Sequence, residues 1–218
     1  MIPIGPAPWE PAPAGLPLKG GTLEIWRAPV ELNGRTSAMA GLTAVESAHA
    51  LRMCSPARRA QYAAGHALLN SLHARHGAPL FTSLSHSGEW AVAAAARSGP
   101  VGIDVESLQT ARPFRQLAHR FFPTDEILWL AQFPPEEQCC LFYALWTAKE
   151  ALFKALGAPP GRAHCAARPV LASSGGGAVP QELIVEGCRV GWFSAAPGYL
   201  GAYAAPAHIS RVKFLLPA

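Results

Sequence analysis

The chain has 218 residues, half of them hydrophobic and only 15% charged. That supplies enough apolar surface for one ordinary domain, or for two small halves around a shared core, and it excludes a disordered chain or a large multidomain assembly. Eighteen Lys and Arg against fourteen Asp and Glu leave a net charge of +4, which favours anionic partners, but no basic run interleaved with aromatics points to nucleic acid.

No apolar stretch approaches the roughly 20 residues that a membrane span needs. The opening MIPIGPAPWEPAPAG has no basic n-region and interrupts any apolar run with proline, so it does not read as a secretory signal. A cytoplasmic protein without membrane contact is expected. The five cysteines, Cys54, Cys139, Cys140, Cys165 and Cys188, have neither disulfide-framework nor zinc-ligand spacing and are read as reduced structural thiols.

Residues 1–20 are rich in Pro, Ala and Gly and read as an extended lead-in. Thr22–Trp26 follows as a first strand and Leu42–Arg52 as a short helix. Ser55 then caps a helix with Pro56 at its first position, and helical composition runs from Ala57 to His76, where Gly77 stops it. Phe81–Ser85, Trp90–Ala96 and Val101–Glu106 read as three strands of a small meander. Helical pattern resumes near Phe114, breaks at Pro123, restarts at Thr124 and breaks again at Pro134-Pro135.

The strongest helix comes next, with Glu136 and Glu137 in its first turn and Gly157 just past its last. Leu141, Leu145, Leu152 and Leu156 recur on one face, which is expected to meet the core. Four β-like runs close the chain: Leu183–Glu186, Val190–Ser194, Tyr199–Ala204 and Val212–Leu216. The order is helix then strands, twice, and PGYLGAYAA loosely echoes SGEWAVAAA. An α+β protein of two similar halves is expected, with residues 21–106 in the N-terminal half and 107–218 in the C-terminal half.

Strict alternation in Val101–Glu106 puts Gly102, Asp104 and Glu106 on one strand face, and Gly102 leaves room for a ligand to approach the backbone. By itself this is also the pattern of an exposed polar face. On the strong helix, Glu150 and Lys154 stand four residues apart and away from the leucine face, a spacing that also suits a solvated ion pair. Together, Asp104, Glu106 and Glu150 offer three hard oxygen donors suited to Mg²⁺ bound to substrate phosphates. Ser85-His86-Ser87-Gly88 adds an imidazole and two hydroxyls at a strand end.

Taken jointly, SLSHSGEW, VGIDVE and WTAKEALFKALG resemble the 4′-phosphopantetheinyl transferase superfamily, in its long, Sfp-like type of two fused halves. The last block carries the family pattern as Trp146, Lys149, Glu150, Ala151 and Lys154, and VGIDVE carries another as Gly102, Ile103, Asp104 and Glu106. A third block runs from Arg58 through Tyr62 to His66. Two positions depart from the family: His66 stands where an Arg is usual, and His76-Gly77-Ala78-Pro79 lacks the lysine of a common Gly-Lys-Pro sequence.

The resemblance implies two halves related by a pseudo-twofold axis, each with a helix packed on a small, mostly antiparallel sheet. It also implies Mg²⁺-dependent transfer of the phosphopantetheine arm of coenzyme A to a serine of an apo acyl or peptidyl carrier protein. Asp104, Glu106 and Glu150 would hold the metal. Glu150 would act as base, directly or through water, and Lys154 would stabilise the leaving phosphate; Lys149 has a weaker claim and reads as a structural or partner contact. Ser85 and His86 would meet nucleotide phosphates, with Arg59, Arg52 and His66 serving the 3′-phosphate. Carrier docking falls on apolar residues between Phe114 and Phe133, although core packing accounts for most of them. Two fused halves imply a monomer. Two other readings stand beside this one: a non-catalytic module that binds coenzyme A or a carrier, and a metal-dependent pyrophosphohydrolase using the same carboxylates.

Overall fold

The computed structural model describes residues 7–13, 18–31, 37–108, 112–157 and 181–217. Cys165 and the glycine run at 175–177 lie outside them. The order is β1 (Glu10–Pro11), β2 (Thr22–Pro29), α1 (Ser37–Ala40), α2 (Ala44–Leu51), α3 (Pro56–His76), β3 (Phe81–Ser87), β4 (Trp90–Ala96), β5 (Gly102–Ser107), α4 (Phe114–Phe121), α5 (Thr124–Leu130), α6 (Pro135–Leu156), β6 (Glu182–Val185), β7 (Cys188–Ala196), β8 (Tyr199–Pro206) and β9 (Arg211–Leu216).

Local chemistry sets the helix ends. Thr43 closes a capping box with Glu46 at the start of α2, its Oγ1 accepting the Glu46 N–H while Glu46 accepts the Thr43 N–H. Ser55 caps α3 with Pro56 behind it. Gly157 ends α6 at φ 67° and ψ 24°, the left-handed region that a side chain would resist.

Two sheets stack between two long helices. One runs β1-β9-β2-β4-β3 and the other β5-β8-β7-β6. The β9 contacts to β1 and β2 are parallel and all other pairs antiparallel. Helix α3 covers the first sheet through Ala64, Leu68 and Leu72 against Trp26, Ala91, Ala93 and Ala95. Val92, Ala94 and Ala96, on the opposite face of β4, meet Ile103, Val105, Phe193 and Tyr203 of the second sheet. Strand β4 is thus buried on both faces, and its alanines let a helix and a sheet approach it together. Helix α6 covers the far face of the second sheet, with Leu141, Leu145 and Leu152 buried and Leu156 exposed at its end.

The fold is the expected α+β arrangement of two halves, with three differences in detail. β3 and β4 form a hairpin, but β5 leaves it to pair with β8, so the expected meander does not form. The last strand, β9, lies in the first sheet between β1 and β2. The lead-in is more than a tail: Glu10-Pro11 pairs with β9, and the Trp9 ring meets Phe193 and Phe214 while its indole N–H bonds the Ser194 carbonyl.

Candidate active site

The edges of the two sheets meet at β3 and β5, and side chains rather than a backbone ladder join them. The Oγ atoms of Ser83, Ser85 and Ser87 accept the backbone N–H groups of Ile103, Val105 and Ser107 at 3.1, 3.4 and 3.1 Å. Each hydroxyl keeps its own proton to give. Ser85 donates to Asp104 Oδ1 at 2.7 Å and Ser87 to Glu106 Oε2 at 3.0 Å. The period-two alternation that fixes this seam puts Asp104 and Glu106 on the β5 face beneath α6.

Helix α6 reaches that face at Lys154, whose Nζ donates to the Ile103 carbonyl at 2.8 Å and to Asp104 Oδ1 at 2.9 Å. Asp104 is buried, and its Oδ2 has no hydrogen-bond partner among the described residues. Burial pushes its carboxyl above the ordinary aspartate range; Lys154 and Ser85 pull the other way, and the charge of Glu150 adds to the rise. Glu106 is raised as well, by burial first and by Asp104 second, against the pull of Arg112 and Ser87. Arg112 Nη1 lies 3.1 Å from Glu106 Oε1.

No three of the His, Cys, Asp and Glu side chains among the described residues stand together as a ready-made metal cage. Donor chemistry still fits Mg²⁺, which binds through one or two carboxylates and takes its other oxygens from water and phosphate. The orphaned Asp104 Oδ2 is such a donor, on the face that also carries Glu106 and responds to Glu150.

Beside the seam lies an open cleft of about 690 Å³ between the start of α3 and the ends of β3 and β5. Its walls include Arg58, Gln61, Tyr62, His86, Ser87, Glu106 and Arg112. His86 is exposed at the rim. Packing around the ring lowers its imidazole below the ordinary histidine range, Lys154 and Arg58 add to that, and its own backbone hydrogen bond and Asp104 oppose it.

Of the positions expected to meet the nucleotide and its phosphates, His86 lines this cleft, while Ser85, Lys154, Arg52, Arg59 and His66 do not. Arg59 turns its Nη2 to the Met53 carbonyl at 2.7 Å. His66 stacks on Tyr62 with ring centroids 4.0 Å apart and places Nδ1 2.8 Å from Glu46 Oε1. Arg52 closes the end of α2. Lys149 points away from the cleft: it is fully buried, 3.0 Å from Glu126 of α5 and over the Phe122 ring. Phe122 is buried, and Phe114, Phe121, Trp129 and Phe133 pack on the same core. Gly102 serves the fold and not a ligand, because a Cβ there would lie 1.8 Å from the Ala151 carbonyl oxygen of α6.

Arg58 and Arg112 are the cleft residues that sequence reasoning passed over. Helix phase was the available signal for Arg58, since Ser55, Arg58 and Tyr62 recur at three and four residues on one face while Arg59 is rotated by about 100°. Arg112 lies beyond the strand in a connecting segment, where no periodicity speaks for it.

Residues 100–170 match the family model of the 4′-phosphopantetheinyl transferase superfamily. The 4′-phosphopantetheinyl transferase HetI of Nostoc sp. strain PCC 7120 is 30% identical over 176 residues, covering 68% of this chain and 74% of that protein. The 4′-phosphopantetheinyl transferase psf-1 of Bacillus pumilus is 43% identical over 75 residues, 34% of this chain and 31% of its own. AcpT of Salmonella typhimurium, also a 4′-phosphopantetheinyl transferase, is 37% identical over 81 residues, 37% and 42% of the two chains. The family model falls on the part of the chain that carries β5 and α6, and the HetI match extends the likeness to most of both proteins. With the two-halved fold and the carboxylate-bearing seam in place, these likenesses establish that the chain belongs to the 4′-phosphopantetheinyl transferase superfamily and is an enzyme of that kind.

Proposed function

We propose that the enzyme moves the 4′-phosphopantetheine arm of coenzyme A onto a serine hydroxyl of an apo acyl or peptidyl carrier protein and releases adenosine 3′,5′-bisphosphate. The observation that carries this reading is the cleft itself: Arg58, Arg112 and His86 line it together with Glu106, which shares a strand face with the buried Asp104, itself paired with the half-buried Lys154. Cations for a diphosphate and carboxylates for its metal stand side by side.

In the proposed step the serine oxygen attacks the phosphorus on the pantetheine side, and the bridging P–O bond breaks. Its electron pair leaves on the nucleotide 5′-phosphate. The serine proton passes to the Glu150 carboxylate, since a neutral hydroxyl is a weak nucleophile. Lys154 stabilises the departing phosphate with an ammonium that has a third N–H beyond the two spent on Ile103 and Asp104. Ser85 holds Asp104 in position, and His86, Arg58 and Arg112 orient the nucleotide phosphates. Mg²⁺ would be held by one or two of Asp104, Glu106 and Glu150, with water and phosphate oxygens completing its shell, and would supply charge neutralisation at the diphosphate. The net charge of +4 suits an acidic carrier. The setting proposed is the cytoplasm, and the acting unit a monomer; no helix among the described residues is long and apolar enough to cross a membrane.

Incubation of the protein with coenzyme A, Mg²⁺ and a panel of apo carrier proteins tests this. Mass spectrometry should show a gain of roughly 340 Da on a carrier, as expected for phosphoryl-linked arm transfer. Absence of that gain across fatty acid, polyketide and peptide carriers would sink the proposal.

A further inference from the structure

We propose that a second, smaller pocket, walled by Lys19, Arg75, Arg211 and Lys213, is an anion site that takes a compact phosphate group, separate from the candidate active cleft. The pocket holds about 190 Å³ and its floor carries Thr22 and Glu24. It belongs to the opposite end of the first sheet. Glu24 pairs with Ala95 of β4, five residues along that strand from Trp90, the partner of Ser87 at the cleft, a separation of about 17 Å along the strand alone.

Three separate elements bring the cations together. Parallel pairing of β2 with β9 sets Thr22 beside Arg211 and Glu24 beside Lys213 on one sheet face. Arg75 comes from the last turn of α3 and Lys19 from the loop before β2. Four positive groups around one pocket repel one another unless an anion sits among them.

Glu24 offsets one of these charges without pairing directly with any of the four. Its Oε2 accepts the Trp26 indole N–H at 3.2 Å and lies 2.9 Å from His76 Nε2. Because the Leu18 N–H donates to His76 Nδ1 at 3.0 Å, the ring proton is on Nε2 and points at Glu24. The carboxylate is therefore committed to two neutral donors, and among the described residues none of the four cations forms an ion pair with it or with any other carboxylate. All fourteen acidic residues of the chain fall within the described segments. Arg75 is held in place by its Nη2 bond to the Pro13 carbonyl and by the Trp26 ring, whose centroid lies 5.6 Å from its Cζ, and forms no ion pair there. Four cations against one carboxylate leave a positive excess that outweighs the charge of a phosphate dianion, and two of the four are guanidinium forks suited to phosphate oxygens.

Calorimetric titration of the full chain at constant ionic strength tests the site, with inorganic phosphate in one arm and glycerol 3-phosphate in the other. Saturable binding is expected. Arg211→Ala/Lys213→Ala should weaken it at least about tenfold, whereas Arg58→Ala/Arg112→Ala, which strips the other cleft, should leave it in place. Lys19→Glu, in an exposed loop, should weaken it too and keeps the test valid if the strand variant misfolds. A preference for inorganic phosphate identifies a free ion, and equal affinity for the ester identifies the phosphate end of a larger metabolite. Either supports the site. No saturable binding in the wild type, or binding lost in Arg58→Ala/Arg112→Ala and kept in Arg211→Ala/Lys213→Ala, overturns it.

Discussion

Asp104 carries more competing demands than any other side chain of the site. It is buried, bonded on one oxygen by Ser85 and Lys154, and left open on the other. Asp104→Asn keeps the shape and removes the charge, so arm transfer should fall by roughly 10²-fold or more while the far-ultraviolet spectrum stays unchanged. Transfer at wild-type rate would deny Asp104 its place in the machinery.

Two carboxylates also give opposite pH signatures. Burial raises Asp104, so the folded state holds its proton more tightly than the unfolded chain; its contribution is full in acid and is lost as pH rises from the ordinary carboxylate range through the raised value. Glu46 behaves the other way: partial burial pushes it up, but hydrogen bonds from Thr43, Asn70 and His66 outweigh that and bring it down to about 2. Its contribution is present above the unfolded value of 4.5 and is lost as pH falls toward about 2. Urea denaturation of Glu46→Gln should therefore show a deficit against wild type at pH 6 that closes across that window. A deficit independent of pH would assign the effect to packing instead. The same bonds explain why His66 turns to Glu46: stacking on Tyr62 and a carboxylate neighbour fix its ring on the helix.

Among elements, α6 matters most, because it carries Glu150 and Lys154 and rests directly on β5. Gly102→Ala would drive a Cβ into the Ala151 carbonyl and to 2.8 Å from the Ala155 nitrogen. Both are backbone atoms that cannot swing aside, so the helix must shift, at a cost of at least about 3 kcal/mol. Chemical denaturation should register that loss, and transfer should fall with it because Lys154 moves off Asp104. On the other side of the same helix, Lys149 and Glu126 tie α6 to α5 in a fully buried pair. Lys149→Met should cost about 3–5 kcal/mol by removing the cation that faces the buried Glu126, and adding Glu126→Gln should recover part of it. An unchanged denaturation midpoint in the single variant would mean that the pair holds nothing.

The helix ends at Ser55, Pro135 and Gly157 were legible because such signals act within four residues of themselves, whereas the Thr43 cap, inside the helix expected over Leu42–Arg52, and the short α1 were not read. Strand partners were not legible either. Nothing in VGIDVES distinguishes β8 from β4 as its neighbour, since pairing depends on which apolar face finds cover in three dimensions. Gly102 misled for a related reason, because a missing side chain looks the same in sequence whether a ligand or a helix fills the space.

At the scale of the molecule, the sheets do not follow the division of the chain. β5 is made early and completes the second sheet, while β9 is made last and completes the first between β1 and β2. The two halves therefore exchange strands, and the core between the sheets draws on β2, β4, β5, β7, β8 and β9 together. The site inherits this arrangement: Asp104 and Glu106 enter from the second sheet, Ser85, Ser87 and His86 from the first, and the serine seam fixes their spacing. Alternation predicted the shared face of Asp104 and Glu106, and motif order predicted α6 beside them, but the seam depends on two sheet edges meeting and has no local signature.

It follows that neither half is a folding unit. A fragment of residues 1–107 keeps β2, β3 and β4 but loses β9, which pairs with β2, and β8, which pairs with β5, leaving two open strand edges and the inter-sheet face of β4 exposed to water. That fragment should show neither a cooperative urea transition nor dispersed amide resonances, while the full chain should unfold in a single step. A folded, cooperative fragment would mean that the first sheet stands without β9. Ser83→Ala probes the same junction inside the intact chain, because it strands the Ile103 N–H without touching a carboxylate. It should cost about 1–3 kcal/mol and leave transfer intact, whereas Ser85→Ala should lose both stability and rate, since its hydroxyl serves the Val105 N–H and Asp104 at once.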